Sequence, residues 1–169
     1  IEPVLSDSKF WKKGDVFVSL RNQCMVFLFR PETNKIIWKT SGQMYHQHDV
    51  DIISDHEISI FDNHAMDTIE GNTVIGNSKV LIYNFKTEIL SSYLEEALAR
   101  EDVRTNAEGR SQILENGDLY IEETVHGRTL FFDSSDRLLW QHVNKVEDGE
   151  VHWPSWSRIL YEEKDLSIV

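Results

Sequence analysis

The chain has 169 residues, 40% apolar and 11% aromatic, enough for one ordinary domain with a real core and too apolar for a disordered segment. A net charge of −12 leaves no basic stripe to meet phosphates, which argues against nucleic acid, and the acidic residues are spread as a solvated surface is. No apolar run is long enough to span a bilayer.

The chain opens at Ile1 without an initiator Met or a signal peptide, and it reads as a processed product or a piece of a longer protein. From Lys12 to Lys39 it runs KKGDVFVSLRNQCMVFLFRPETNKIIWK, with strands predicted at Val16–Val18, Val26–Phe29 and Ile36–Trp38 around the turn Pro31–Asn34. Cys24 is the only cysteine, so no intrachain disulfide can form. Flanked by Met25, Val26 and Phe27, it reads as a small buried hydrophobe.

A second copy of the same pattern extends from Ser54 to Tyr93, with strands at Ile58–Ile60 and Val80–Tyr83. It differs from the first in an insertion of about a dozen residues between Asn63 and Ser78, a length that in repeat arrays tends to lie on the binding face. Ser91 to Arg104 breaks the strand rhythm, since Leu94, Ala97 and Leu98 fall at helical spacing and predict a short helix. The third copy, Glu115 to His142, predicts strands at Leu119–Ile121, Thr129–Phe132 and Leu138–Trp140, with turns at Asn116–Asp118 and Asp133–Asp136. Val16, Ile58 and Leu119 correspond, as do Phe29, Tyr83 and Phe132. Ser157 to Tyr161 echoes Ser111 to Leu114 and reads as the inner strand of one more unit. Short strands at this spacing, joined by tight turns, form antiparallel meanders.

The expected fold is therefore all-β, a β-propeller of four-stranded antiparallel blades with one short helix. The repeats span about 12–39, 48–93 and 111–142, with a closing strand at about 156–161, all in one partial domain over residues 1–169. Three blades are too few to close a ring, so the rest of the propeller is expected from a preceding segment or from another chain.

The middle copy alone carries Gln47-His48-Asp49 before its inner strand and Phe61-Asp62-Asn63 after it. Equivalent positions of successive blades converge on one funnel, which brings Arg21, Asn63 and Thr124 together with His48. On the residues alone, each has an ordinary alternative. His48 is either a site residue or a strand-edge histidine bonded to a carbonyl, and Asn63 either a site residue or a turn cap. Arg21 is either a ligand group or a solvated strand-end charge. His46, His48, Asp49 and Asp51 include potential metal ligands, but no third ligand is placed and no metal site is assigned. Trp38 and Trp140 read as packing aromatics. Trp153 and Trp156 either pack under the terminal strand or present an aromatic wall to an aryl ligand.

The run HQHDVDIISDHEISIFDN resembles the bacterial arylsulfotransferase family, as do FVSLRNQCMVFLF, ENGDLYIEETVHGRTLFF and WSRILY, so the resemblance covers nearly the whole chain. It implies a six-bladed propeller that transfers a sulfuryl group from an aryl sulfate to a phenol through a sulfated histidine, with no diffusible cofactor and a periplasmic or secreted location. It also implies His48 as a sulfuryl-binding or acid/base histidine, His126 as the transiently sulfated one, and Asn63, Arg21 and Arg128 as substrate-binding residues. Such a reaction needs donors aimed at the sulfuryl oxygens and a nucleophile active near neutral pH. Two family features are missing: a His-x-Asn stretch ahead of the first blade, and an arginine after Phe-Asp-Asn, where His64-Ala65-Met66-Asp67 stands instead. An isolated segment with these gaps is expected to be inactive, and the rival expectation is a non-catalytic propeller that binds a ligand or protein on the same face.

Overall fold

The computed structural model describes residues 1–160 and is all-β apart from one α-helix and short 3₁₀ turns. The first sheet is a meander of β1 (Glu2–Pro3), β2 (Val16–Leu20), β3 (Met25–Arg30) and β4 (Lys35–Ser41). The second joins β5 (Val50–Ile52) and β6 (Glu57–Asp62) to β9 (Lys79–Asn84) and β10 (Ile89–Tyr93). Between β6 and β9 the inserted residues form a separate hairpin of β7 (Ala65–Thr68) and β8 (Gly71–Val74). The third sheet comprises β11 (Arg110–Ile113), β12 (Leu119–Glu123), β13 (Arg128–Phe132) and β14 (Leu138–Val143). Every pairing is antiparallel, as the tight turns of the hairpins require and as β6 and β9 keep across the insertion.

The repeat is visible in detail. β2 and β12 each run into a 3₁₀ turn closed by a left-handed residue, Cys24 (φ 47°) after the first and Gly127 (φ 59°) after the second. The register of the following hairpin shifts at the same place in both sheets, between Leu28 and Phe29 and between Phe131 and Phe132. Cys24 is thus a turn residue, half-buried, rather than a buried strand residue, and its Sγ accepts the His46 N–H at 3.5 Å.

Strand alternation lets the second sheet feed two cores. Ile58, Ile60 and Leu81 pack against Phe17, Val26 and Leu28 of the first sheet. Phe61 and Val80 face the other way, onto Leu119, Ile121, Leu130 and Phe132 of the third. This period-two partition is what stacks the three sheets like successive blades. Trp38 packs within the first core, its ring centroid 4.7 Å from Tyr83 and 4.8 Å from Phe85. Trp140 instead stacks on Phe131 at the outer side of the third sheet, half-exposed.

Two further expectations are revised. The helix is α1 (Glu95–Arg100), shorter than the predicted Ser91–Arg104, because Ser91–Tyr93 pairs with β9 and Leu94 takes a left-handed φ of 46° that starts the helix afresh. Residues 157–160 form no strand: the segment is held by side chains, with the Ser157 N–H on Glu122 Oε2 at 2.6 Å and the Ile159 N–H on Gln112 Oε1 at 3.3 Å. Tyr161, the end of the expected closing strand, lies outside the described residues.

Candidate functional site

The connection 104–109, which leads into β11, reaches most of the predicted site residues. The Asn63 side-chain amide donates to the carbonyls of Thr105 and Glu108, both at 2.7 Å. Arg21 donates from Nη2 to the Asn106 carbonyl at 3.1 Å. The Glu108 N–H donates to His48 Nε2 at 3.1 Å, and the Arg104 N–H donates to the Glu123 carboxylate. Side chains from all three sheets are thereby gathered by a single backbone segment. Gly109 permits this approach, since at φ +85° an added Cβ would lie 2.7 Å from Phe61 and 3.1 Å from the Glu122 carbonyl.

His48 has a defined tautomer. Both Asn63 amide protons go to carbonyls, so its Oδ1, 2.7 Å from His48 Nδ1, must accept, and Nδ1 carries the proton. Nε2 is then the lone-pair nitrogen. Burial lowers the His48 pKa and the nearby Arg21 charge adds to this, against opposing effects of the Asn63 bond and the Glu108 carboxylate. The ring borders a cavity of about 240 Å³ that is also lined by Ile1, Glu108, Gly109, Glu122, Ser155 and Trp156.

His126 lies elsewhere, beside a shallow depression lined by Asn72, Arg104, Asn106 and Val125. Its side chain is 55% exposed, and its Nδ1 is 3.0 Å from Glu123 Oε1. Glu123 is fully buried, and Arg128 grips it through Nε at 2.5 Å. The same arginine donates to the carbonyls of Glu101 and Asp102 at 3.0 and 3.3 Å. Its donors therefore hold the turn around Glu123. Thr124 is buried and bonds Glu122, not a cavity.

Sequence reasoning missed a charged cluster beside the cavity. Arg110 Nε is 3.5 Å from Asp49 Oδ2, and Arg110 Nη2 is 3.9 Å from Asp51. Burial, with the Asp51 charge next, pushes the Asp49 pKa up to about 7. Burial likewise carries Asp51 to about 6, against the pull of Arg110. The available signal was the i, i+2 spacing of Asp49 and Asp51, which places both on one face of the inner strand. His46 does not join them: its Nδ1 meets the Asn72 side-chain amide at 2.9 Å, and its Nε2 lies 3.7 Å from Asp67. Among the described residues no group of three or more His, Cys, Asp or Glu is placed to hold a metal ion.

Stacked blade-like sheets with a histidine-bearing cavity beside their inner strands describe a propeller-like protein. The sequence profile of the arylsulfotransferase (ASST) family matches residues 4–145, and the chain belongs to that family. The match includes His48, Asn63, Arg21, His126 and Arg128, and stops short of the 151–160 segment. No curated protein matches the chain. Among the described residues no helix is long and apolar enough to cross a membrane.

Proposed function

We propose that the protein transfers a sulfuryl group from an aryl sulfate to a phenol, with His48 as the histidine that carries it. The observation that supports this reading is the bond from His48 Nδ1 to a fully fixed Asn63, which leaves Nε2 as the nitrogen able to attack. In the first step the Nε2 lone pair attacks sulfur, the sulfur–aryl-oxygen bond breaks, and the departing phenolate takes a proton from solvent. The Glu108 N–H, now on Nε2, becomes free to donate to a sulfuryl oxygen. In the second step the acceptor's phenolic oxygen attacks sulfur, the N–S bond breaks, the phenolic proton leaves to solvent and neutral His48 returns. Partial burial holds His48 unprotonated near neutral pH, as a nucleophile requires.

A second reading places the sulfuryl group on His126. It is supported by the Glu123 carboxylate on His126 Nδ1, which would stabilise a sulfated imidazolium. Incubating the folded full-length protein with 4-nitrophenyl sulfate and phenol, then mapping the adduct by peptide mass spectrometry, separates the two. Nitrophenol release with the sulfuryl group on the His48 peptide, both lost in His48→Ala, is the expected result. An adduct on the His126 peptide supports the second reading, and no release from the folded full-length protein sinks both.

The sheets are further proposed to be part of a larger propeller ring. Half-exposed Trp140 and Leu139 on the third sheet and Ile36 and Ile37 on the first are apolar surface that neighbouring blades would cover. A stable, monomeric 169-residue chain by light scattering would refute this. A periplasmic or secreted location is proposed on the family resemblance, and fractionation of the source cells tests it.

A further inference from the structure

We propose that Gln47 is a positioning residue: together with Ser19 it fixes the turn that carries Arg21 against the backbone of His48, and so holds the guanidinium in register with the imidazole. The role of His48 as the reacting group rests on the sulfuryl-transfer reading; the bonds that make this clamp do not.

Gln47 is fully buried, and the orientation of its amide is determined by its partners. Nε2 donates to the Met25 carbonyl at 2.9 Å and to Ser19 Oγ at 3.2 Å. A reversed amide would set two oxygens face to face at Met25. Ser19 Oγ donates in return to the Gln47 carbonyl at 3.3 Å, and that carbonyl belongs to the peptide bond that opens His48. Ser19 and Met25 are the two feet of one turn. Ser19 lies in β2 and Met25 begins β3, with the 3₁₀ turn Arg21–Gln23 and left-handed Cys24 between them. The His46 N–H on Cys24 Sγ reaches the same turn. Residues 46 and 47 therefore grip the turn of the first sheet from the chain immediately before His48.

Arg21 leaves this turn to bond the Asn106 carbonyl at 3.1 Å and Asn22 Oδ1 at 3.0 Å. Its charge opposes protonation of His48, whereas the Glu108 carboxylate favours it. Glu122, which lines the same cavity with Ile1, is bonded to Ser157 and Thr124. Arg21 thus acts on His48 through its position, and that position is what Gln47 controls. The arrangement has a cost, because Gln47 Oε1 is buried without a hydrogen-bond partner among the described residues. An apolar side chain of similar length would fill the space without that orphan, so packing alone does not account for the amide.

Histidine-selective NMR of the full-length protein, with the His48 signal identified by its loss in His48→Gln, tests this without turnover. Arg21→Gln should raise the His48 titration midpoint. Gln47→Met, which keeps the length but cannot donate, should raise it as well. In the Gln47→Met background Arg21→Gln should add less than half of its wild-type shift, because the guanidinium has already lost its register. Ser19→Ala should raise the midpoint, and Ser19→Thr, which keeps the hydroxyl, should hold it at the wild-type value. The two Ser19 variants decide the matter if Gln47→Met does not fold. Additive shifts from Arg21 and Gln47, or a wild-type midpoint in Ser19→Ala, overturn the proposal. The expected shifts in a protein that releases no nitrophenol from 4-nitrophenyl sulfate would leave the clamp standing and sink the transfer reaction alone.

Discussion

Asn63 holds the Nδ1 proton of His48 because its own amide nitrogen is committed to the carbonyls of Thr105 and Glu108. The second sheet supplies both residues, yet the anchor comes from the connection to the third. The tautomer of the candidate nucleophile is therefore a property of the interface between two sheets.

Replacing Asn63 by Ala should leave the buried Thr105 carbonyl unpaired, at a cost of about 1–3 kcal/mol, while the Glu108 carbonyl, on an exposed residue, can turn to water. The expected outcome is a lower urea midpoint together with a large loss of nitrophenol release. A variant that keeps full transfer activity would separate His48 orientation from function.

The pH profile of transfer should report the lowered His48 pKa. Neutral His48 is the active form, so activity should hold as pH drops through the ordinary histidine value of about 6.5 and decline only below it. Initial rates across that range, at saturating donor, test this. A midpoint above the ordinary value would contradict it.

The Asp49–Asp51 pair should make stability depend on pH in the opposite sense from an ordinary carboxylate. Both folded values, about 7 and about 6, lie above the unfolded value, so the folded state binds the extra proton. Their contribution is full below the unfolded value and is lost as pH rises through the folded ones. Urea midpoints should therefore decrease between roughly pH 5 and pH 8, and Asp49→Asn should flatten the slope. An unchanged slope in Asp49→Asn would show that other groups set it.

Glu123 is buried among Arg128, His126 and the Arg104 N–H. Glu123→Ala strands the Arg128 charge and should lower stability by about 3 kcal/mol, as loss of one partner of a buried pair does. Thermal unfolding reads it. Loss below about 1 kcal/mol would mean that Arg128 finds water instead.

Gly109→Ala should be more damaging than substitution of glycines with open space around them, such as Gly14 or Gly149. The new Cβ meets Phe61 at 2.7 Å and Thr105 at 2.8 Å, on a backbone already at φ +85°. Loss of cooperative unfolding or of soluble yield is expected for Gly109→Ala alone, with Gly14→Ala as the milder control.

The sequence by itself determined the main strands and tight turns of the three repeated units, because side-chain alternation and turn chemistry are local properties; the β7–β8 hairpin in the insertion and the lack of a strand at 157–160 were decided by the tertiary structure. It also singled out His48 and Asn63, which flank one strand pair and are brought together by the register that puts Val50 opposite Ile60. The tertiary structure decided the rest. The connection 104–109 carries no motif, and its role comes from backbone groups that any sequence possesses. Arg110 meets Asp49 and Asp51 only when the inner strands of neighbouring sheets stand side by side. Arg128 and His126 are near neighbours in sequence and both contact Glu123, but one is spent on it and the other is turned toward water. Which polar groups are consumed by partners and which stay free depends on packing between sheets, and the strand pattern does not encode that.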